Sequence, residues 1–503
     1  MQSIPPSLTA HPRAHSQLWR QTRRLWCGGS LSDRATERKP KRLTGTSISI
    51  EMEVRNHEEM TVPVPMIAQE LAPLLASFAT CFTAPTFESF RWLLSGWILC
   101  IGRHTVTGVV RAAGAVGVKH HSSFHRFFRL ARWSVDNVGL CLLKLVMKAS
   151  PKGEPILIAV DDTLGRHWGR KIHGASMHRD PLLSTRAKTV HRWGHVWVIV
   201  AVVLRVPSWD KSFALPVLCR LYRAEKVCQK RGEPFFKKPE LAKQLIEVLA
   251  KALPRHVIYV LGDNGYTNGS VIKNLPDNAH YLGRGRIDAA LYAAPKKPSG
   301  RGRPRIRGKR VASPKQRADE NVGWSSLTVN AYGREHTIEV KVFDAIWYRV
   351  SRGRMMRFVL VRGWPGREQD DVICCTDLSL DARTIVERFC RRWSIEVTFH
   401  ETKDKLGFEQ PQNRTERAVE RTAPMALWAF TLTVVWYLTL DKRLKSAQLP
   451  QYPWYEKTEP AFSDMLAALR RETWRQNVLD PLPLTPKSRK CVETLLHEVA
   501  YAA

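Results

Sequence analysis

Three acidic side chains stand where chemistry could be done. Asp162 closes the run ILIAVDDT (156–163), Asp263 closes VIYVLGDN (257–264), and Glu396 lies inside FCRRWSIEVTFHETK (389–403). Carboxylate oxygens are hard ligands and suit Mg²⁺ or Mn²⁺. Two such ions about 3.5–4 Å apart activate an attacking oxygen and stabilise a leaving oxygen during in-line phosphoryl displacement. That chemistry needs carboxylates from separate elements meeting at one point. Wound as one helix, the last segment puts Phe389, Arg392, Glu396, His400 and Lys403 within roughly 80° of one another. One carboxylate flanked by cations suits a metal and a phosphate together. Ile395, Phe399 and Leu406 form an apolar stripe beside this face, able to hold the helix on a core.

Each acid also has an ordinary reading. Asp161–Asp162 fits an N-cap or turn pair, Asp263-Asn264-Gly265 is a turn signal, and Glu396 fits a charged helix surface. No His pairs with Cys or Ser as a nucleophilic triad would. The ten Cys are scattered without a CxxC pair, which argues against a zinc knuckle and a disulfide framework and fits a reducing interior. GRGR (283–286) follows no βαβ pattern and is not a dinucleotide fingerprint.

The elements that must position these groups divide the chain. Residues 60–150 carry helical periods in IAQELAPLLASFA, ESFRWLLSGWILCIG and VDNVGLCLLKLVMKA. Between them, 104–133 reads either as a helix-turn-helix with Lys119, His120, His121, His125, Arg126 and Arg129 on its second piece, or as a plain bundle with a basic rim. Residues 151–284 alternate β-branched runs with the amphipathic helix PELAKQLIEVLAKAL (239–253), which predicts an α/β region with carboxylates at strand ends. Residues 285–380 read as a β-rich insertion. It opens on KKPSGRGRPRIRGKR (296–310), eight basic residues with no acid, whose Arg301, Arg303 and Arg305 suit DNA phosphates. Its RGRP core resembles an AT-hook over only four residues. Residues 381–445 return to helix, and 446–503 are polar and partly helical.

Over 503 residues the formal net charge is +33, with 79 Lys and Arg against 46 Asp and Glu. A charge of that size favours a polyanionic partner, nucleic acid before a membrane surface. The apolar stretch Ala423–Leu440 brushes the length of a membrane span but holds Pro424 and three Thr, so a buried helix is expected. Residues 1–59 differ from the rest. Between Met1 and Ile50 there are nine Lys or Arg and only Asp33 and Glu37 as acids. The segment superficially resembles an organellar transit peptide; we expect a disordered extension, with translation starting at Met52 or Met60.

Taken together the motifs resemble the DDE transposases of bacterial insertion sequences, in the group with a Y-x2-R-x3-E-x6-K signature. Phe389, Arg392, Glu396 and Lys403 keep all three gaps, with Phe in place of Tyr. LIAVDDT matches the first family motif, in which the carboxylate precedes Thr; by that match it is Asp162, and Asp161 supports it without being a ligand. Asp263 matches the second Asp. The resemblance covers roughly 90–440. It implies an RNase H-like catalytic core (151–284 plus 381–445) interrupted by the β insertion, with an N-terminal helical DNA-binding domain. It implies Asp162, Asp263 and Glu396 as catalytic and metal-holding residues for two Mg²⁺ or Mn²⁺ ions. Phe389, Arg392 and Lys403 would contact DNA, and His400 would touch DNA or orient Glu396. The implied activity is binding of terminal inverted repeats, end cleavage and strand transfer, by at least a homodimer in the bacterial cytoplasm at the nucleoid. In many relatives a Trp of the insertion receives a flipped base; Trp324, Trp347 and Trp364 are candidates. Two other readings stand beside this one: a non-catalytic DNA-binding protein of transposase origin, and an RNase H-like nuclease without strand transfer.

Overall fold

The structure, a computed structural model, describes residues 65–502 except 186, 207, 208, 210, 297–302, 365–368, 442–444, 446–448 and 450–452. The N-terminal extension and Arg301 lie outside the described residues. The described chain belongs to one unit, Pro63–Ala503.

It opens with helices: α1 (Ala72–Ala76), α2 (Ala84–Leu99), α3 (Val106–Ala112), α4 (His121–Arg129) and α5 (Val135–Ala149). Eight residues separate α3 from α4, and Gly114 and Gly117 turn the chain there with φ of 73° and 86°. On α4, Phe124, Phe127 and Phe128 are buried while His121, His125, Arg126 and Arg129 face outward. These outward side chains give α4 a basic face.

Next come β1 (Ile156–Arg166), β2 (Ser176–Arg179), β3 (His191–Arg205), β4 (Ser212–Tyr222), α6 (Glu225–Arg231), α7 (Lys238–Ala252), β5 (Ile258–Gly262), α8 (Gly269–Ile272) and β6 (Ala279–Arg284). Then follow β7 (Leu291–Tyr292), β8 (Arg310–Val311), α9 (Pro314–Asp319), β9 (Ser325–Ala331), β10 (Arg334–Ile346), α10 (Tyr348–Ser351), β11 (Met355–Arg362) and β12 (Asp371–Cys375). The chain closes with α11 (Ala382–Cys390), α12 (Ser394–Lys405), α13 (Glu416–Thr439), α14 (Phe462–Trp474) and α15 (Pro486–Tyr501).

The fold is a mixed α/β one. β1 pairs antiparallel with β3 and parallel with β5, and β5 pairs parallel with β6. The strands of 285–380 do not stand apart. β12 pairs with β6, so the path β2-β3-β1-β5-β6-β12-β11-β10-β7-β8 is one 12-stranded sheet, with β4 on β3 and β9 on β10. β1, β3 and β5 are buried almost throughout, which explains their near-continuous apolar sequence.

α13 packs on β4, α5 and α14. It is long and apolar enough to cross a membrane, yet 83% of its apolar window is buried in the protein, as expected for a core helix. Within it Arg421 is buried and donates to the carbonyls of Phe128, Ala131 and Trp133, fastening the N-terminal helices to the centre. The C-terminal helices are fastened in the same way. Arg470, 1% exposed, donates to the carbonyls of Ile98, Cys100, Ala500 and Ala502. Unsatisfied, such a buried cation would cost several kcal/mol.

Candidate active site at the end of the central strands

Asp161 and Asp162 lie in the last half of β1. Its pairing with β3 runs without a bulge from Leu157 to Arg166, so consecutive side chains point to opposite faces of the sheet. On one face, Asp161 Oδ2 accepts from Arg392 Nη1 at 3.1 Å. On the other, Asp162 Oδ2 accepts from Lys238 Nζ at 2.6 Å and its Oδ1 from the Tyr266 hydroxyl at 2.9 Å. Lys238 is the first residue of α7, so α7 and the Arg392 segment flank the sheet from opposite sides.

Asp263 follows β5 directly. Its carbonyl starts a turn, accepting from the amides of Tyr266 and Thr267, and its Oδ1 accepts from the Gly265 amide at 2.9 Å. Gly262 permits this close approach: a Cβ there would lie 2.3 Å from the Tyr281 hydroxyl. Val160 and Gly262 are register partners, so the next step of that register sets Asp161 alongside Asp263.

Glu396 stands in the first turn of α12. The single helix expected over 389–403 is interrupted. α11 stops at Cys390, Arg391–Trp393 forms a 3₁₀ turn, and α12 begins at Ser394. A 3₁₀ turn winds more tightly than an α-helix, and so resets the angular relation between Phe389 and the residues after it. The apolar stripe is as expected, with Ile395, Phe399 and Leu406 buried and Thr398 Oγ1 donating to the Ala214 carbonyl of β4 at 2.8 Å. From this turn Arg392 reaches both ways, donating to Glu396 Oε1 through Nη2 at 2.9 Å as well as to Asp161.

Two clefts open on this region. The first, about 260 Å³, is lined by Asp263, Asn264, Arg284, Tyr332, Phe389, Arg392, Trp393 and Glu396 among others. The second, about 300 Å³, is lined by Asp162, Asp263, Tyr222, Lys237, Lys238 and Tyr266 among others. Asp263 belongs to both. Glu396 and Asp162 are thus gathered around Asp263 from two sides, with Asp161 beneath Arg392.

The electrostatics match this crowding. Burial pushes the Asp161 carboxyl up to about 7; Arg392 opposes the rise, while Asp263 and Asp162 add to it. Burial works against the Arg392 cation, but the charges of Asp161 and Glu396 outweigh it and its pKa is raised. Tyr266 is held well above its usual value by burial and by the neighbouring charges of Asp162 and Asp161, so its hydroxyl stays a donor.

The other expected residues fall into different settings. Phe389 lines the first cleft, with the Arg392 guanidinium 6.0 Å from its ring. Lys403 is turned inward. Its Nζ donates to the Leu164 carbonyl at 2.7 Å and pairs with Glu409 at 3.7 Å, and burial lowers its pKa. His400 is exposed on α12. Arg303 and Arg305 are exposed, while Arg307 sits between the Tyr292 and Tyr348 rings at 4.2 and 4.4 Å and anchors the base of the basic segment. Of the three Trp candidates, Trp324 is covered by Lys341 and Arg362 at 5.0 and 4.1 Å, and Trp347 is buried. Trp364 packs against Tyr332, which lines the first cleft.

Sequence reasoning missed Trp393 and Tyr332, both more than two-fifths exposed at the first cleft. Tyr332-Gly333 is the tip of the β9–β10 hairpin, with Tyr332 at φ 55°, and its turn was a readable signal. Lys238 and Tyr266 carried none. A separate group, His173, Glu416 and Glu420, brings ligand atoms within 4.8 Å of one another. Arg231 donates to His173 Nδ1, and the buried Nε2, which makes no hydrogen bond, lies 3.8 Å from Glu416 Oε1.

Comparison with curated proteins gives no match. Among solved structures the chain is similar to a piggyBac transposase synaptic complex with hairpin DNA, at 12% identity and a TM-score of 0.34, covering 86% of this chain and 82% of that one. The family profile described as "DDE superfamily endonuclease" matches residues 77–344, a stretch that holds Asp161, Asp162 and Asp263 and ends before Glu396. More than half of the sequence is thereby accounted for, and the chain belongs to the DDE superfamily of endonucleases.

Proposed function

We propose that the protein is a DNA transposase of insertion-sequence type, binding the inverted repeats at its element's ends and carrying out metal-dependent cleavage and strand transfer. The observation that carries this reading is the convergence of strand-end and helix carboxylates around Asp263, beside a cationic and aromatic cleft. The parallel β1-β5-β6 centre, with β3 antiparallel at its side, supports an RNase H-like core extended by the β-rich segment.

The donor set fits divalent metal ions. Asp263, Glu396 and an aspartate of β1 offer only hard oxygens. When bound, two Mg²⁺ or Mn²⁺ ions supply Lewis acidity and an activated oxygen nucleophile. The chain's own residues do the rest. Arg392 orients Glu396 and lends charge to a phosphate at the cleft mouth. Phe389, Trp393 and Tyr332 offer ring faces to bases, and Arg284 adds a cation at the rim. Lys403 ties α12 to the end of β1, so it holds the frame from within. The exposed Arg303 and Arg305, and the basic side of α4, contribute sequence-tolerant affinity. Joining two ends calls for at least a homodimer, working at the bacterial nucleoid.

Glu396→Gln tests the reading. Cleavage of the element's end DNA in Mg²⁺ should vanish while end-binding stays within about twofold; equal loss of both would make Glu396 structural. Strand-transfer products exclude a hydrolytic nuclease, and absence of any nicking by the wild type would leave a DNA-binding protein without catalysis.

A further inference from the structure

The sequence motif singles out Asp162, the aspartate that precedes Thr163, as the β1 carboxylate of the site. The geometry points to its neighbour. We propose that Asp161, not Asp162, is the β1 carboxylate that acts with Asp263 and Glu396. This inference rests on the transposase reading above.

Three observations carry it. The first is register. Val160 and Gly262 are the last pair of the parallel β1–β5 ladder, and Asp161 and Asp263 follow them directly, at the position the next rung would take. The two residues of one rung of a parallel pair present their side chains to the same face. Asp162, one residue on, points to the opposite face.

The second is the shared guanidinium. Arg392 donates through Nη1 to Asp161 Oδ2 at 3.1 Å and through Nη2 to Glu396 Oε1 at 2.9 Å. One planar group spans both carboxylates, so they stand on the same side and within a guanidinium's width of a common cation. A divalent ion entering between them would take over the charge that Arg392 now supplies, and free Arg392 to turn toward phosphate.

The third is occupancy. Both oxygens of Asp162 are already taken from the α7 side, Oδ2 by Lys238 at 2.6 Å and Oδ1 by Tyr266 at 2.9 Å. Ligation by Asp162 would have to displace an ammonium and a phenol, and would take place away from Arg392 and Glu396. Asp161 is held as well, by the Asp162 amide on Oδ1 and by Arg392 on Oδ2, but its cationic partner is the one it already shares with Glu396. Asp162 is better described as a positioning residue, holding the start of α7 and the Tyr266 turn that follows Asp263.

The test is binding of Mn²⁺ alone to the full chain, followed by electron paramagnetic resonance of the free ion, for Asp161→Asn, Asp162→Asn, Asp263→Asn and Glu396→Gln. Asp161→Asn should weaken binding at least about tenfold, matching Asp263→Asn, while Asp162→Asn stays within about threefold of wild type. Asp162→Asn should instead lower the melting temperature, through the loss of its Lys238 and Tyr266 partners. A tenfold loss in Asp162→Asn, with or without one in Asp161→Asn, overturns the inference and leaves the metal site standing. Unchanged binding in both Asp263→Asn and Glu396→Gln would instead overturn the function on which it rests. If Asp161→Asn does not fold, the Asp162→Asn result alone still decides.

Discussion

At the scale of single residues, the centre depends on which atoms face Asp263. Phe389 stands where the resembling transposases carry Tyr, and it lines the cleft with Arg392 over its ring edge. Phe keeps the ring and lacks a hydroxyl able to donate to phosphate. Phe389→Tyr should therefore tighten binding of end DNA by about 1 kcal/mol, roughly fivefold, in a fluorescence-anisotropy titration. No change, or weaker binding, would mean that position 389 only packs. The choice between Asp161 and Asp162 was beyond the sequence for a physical reason. A period of two says that neighbours face opposite ways, but not which way the partner helix lies. That is fixed by α12 crossing over β4 and β1, the latter more than two hundred residues away along the chain.

At the scale of elements, the strands most readable in the sequence were those with β-branched, apolar runs: β1, β3 and β5 in the centre, and the alternating β9 to β12. β4 was not read. SFALPVLCRLY carries Pro216 in mid-strand, and its pairing with β3 shifts register between Val200 and Ala201. Pro lacks the amide that a regular ladder needs, and a bulge accommodates it. The break between α11 and α12 was equally hidden, because Arg391–Trp393 contains no Gly or Pro to announce it. Nor did the sequence reveal that 285–380 continues the central sheet, since the β6–β12 pairing is long-range. The basic segment was legible from composition alone. Its described residues Arg303 and Arg305 are exposed, so each should release about one counterion on binding DNA. Replacing both by Ala should lower the slope of log K against log salt by about 2, and weaken binding alike on end and unrelated duplexes. A loss confined to end DNA would assign these arginines to sequence recognition.

At the scale of the whole molecule, the buried cations Arg421 and Arg470 tie distant parts together, and two buried histidines make stability depend on pH. Burial lowers His104 to about 4 and His195 to about 3. Both rings are nearly inaccessible, at 3% and 2% exposure. In the unfolded chain they protonate near 6.5. Below that pH the unfolded state binds more protons than the folded one, so the stability they confer is complete above about 6.5 and is lost as pH falls toward 4. Urea melts should show a decline of up to about 2 kcal/mol per ring between pH 6.5 and 5, and His195→Gln should flatten the curve. A flat profile in the wild type would contradict the burial of these rings. The formal charge of +33 acts over the same scale, since a chain so cationic is relieved by a polyanion.

The account as a whole stands on carboxylates from β1, β5 and α12 serving one cluster of cations. Anomalous diffraction from crystals soaked in Mn²⁺ tests that most directly. Density is expected between Asp161, Asp263 and Glu396, with Arg392 turned away and the Asp162–Lys238 pair intact. Saturating Mn²⁺ that leaves Arg392 bridging Asp161 and Glu396, with no peak near Asp263, would contradict it.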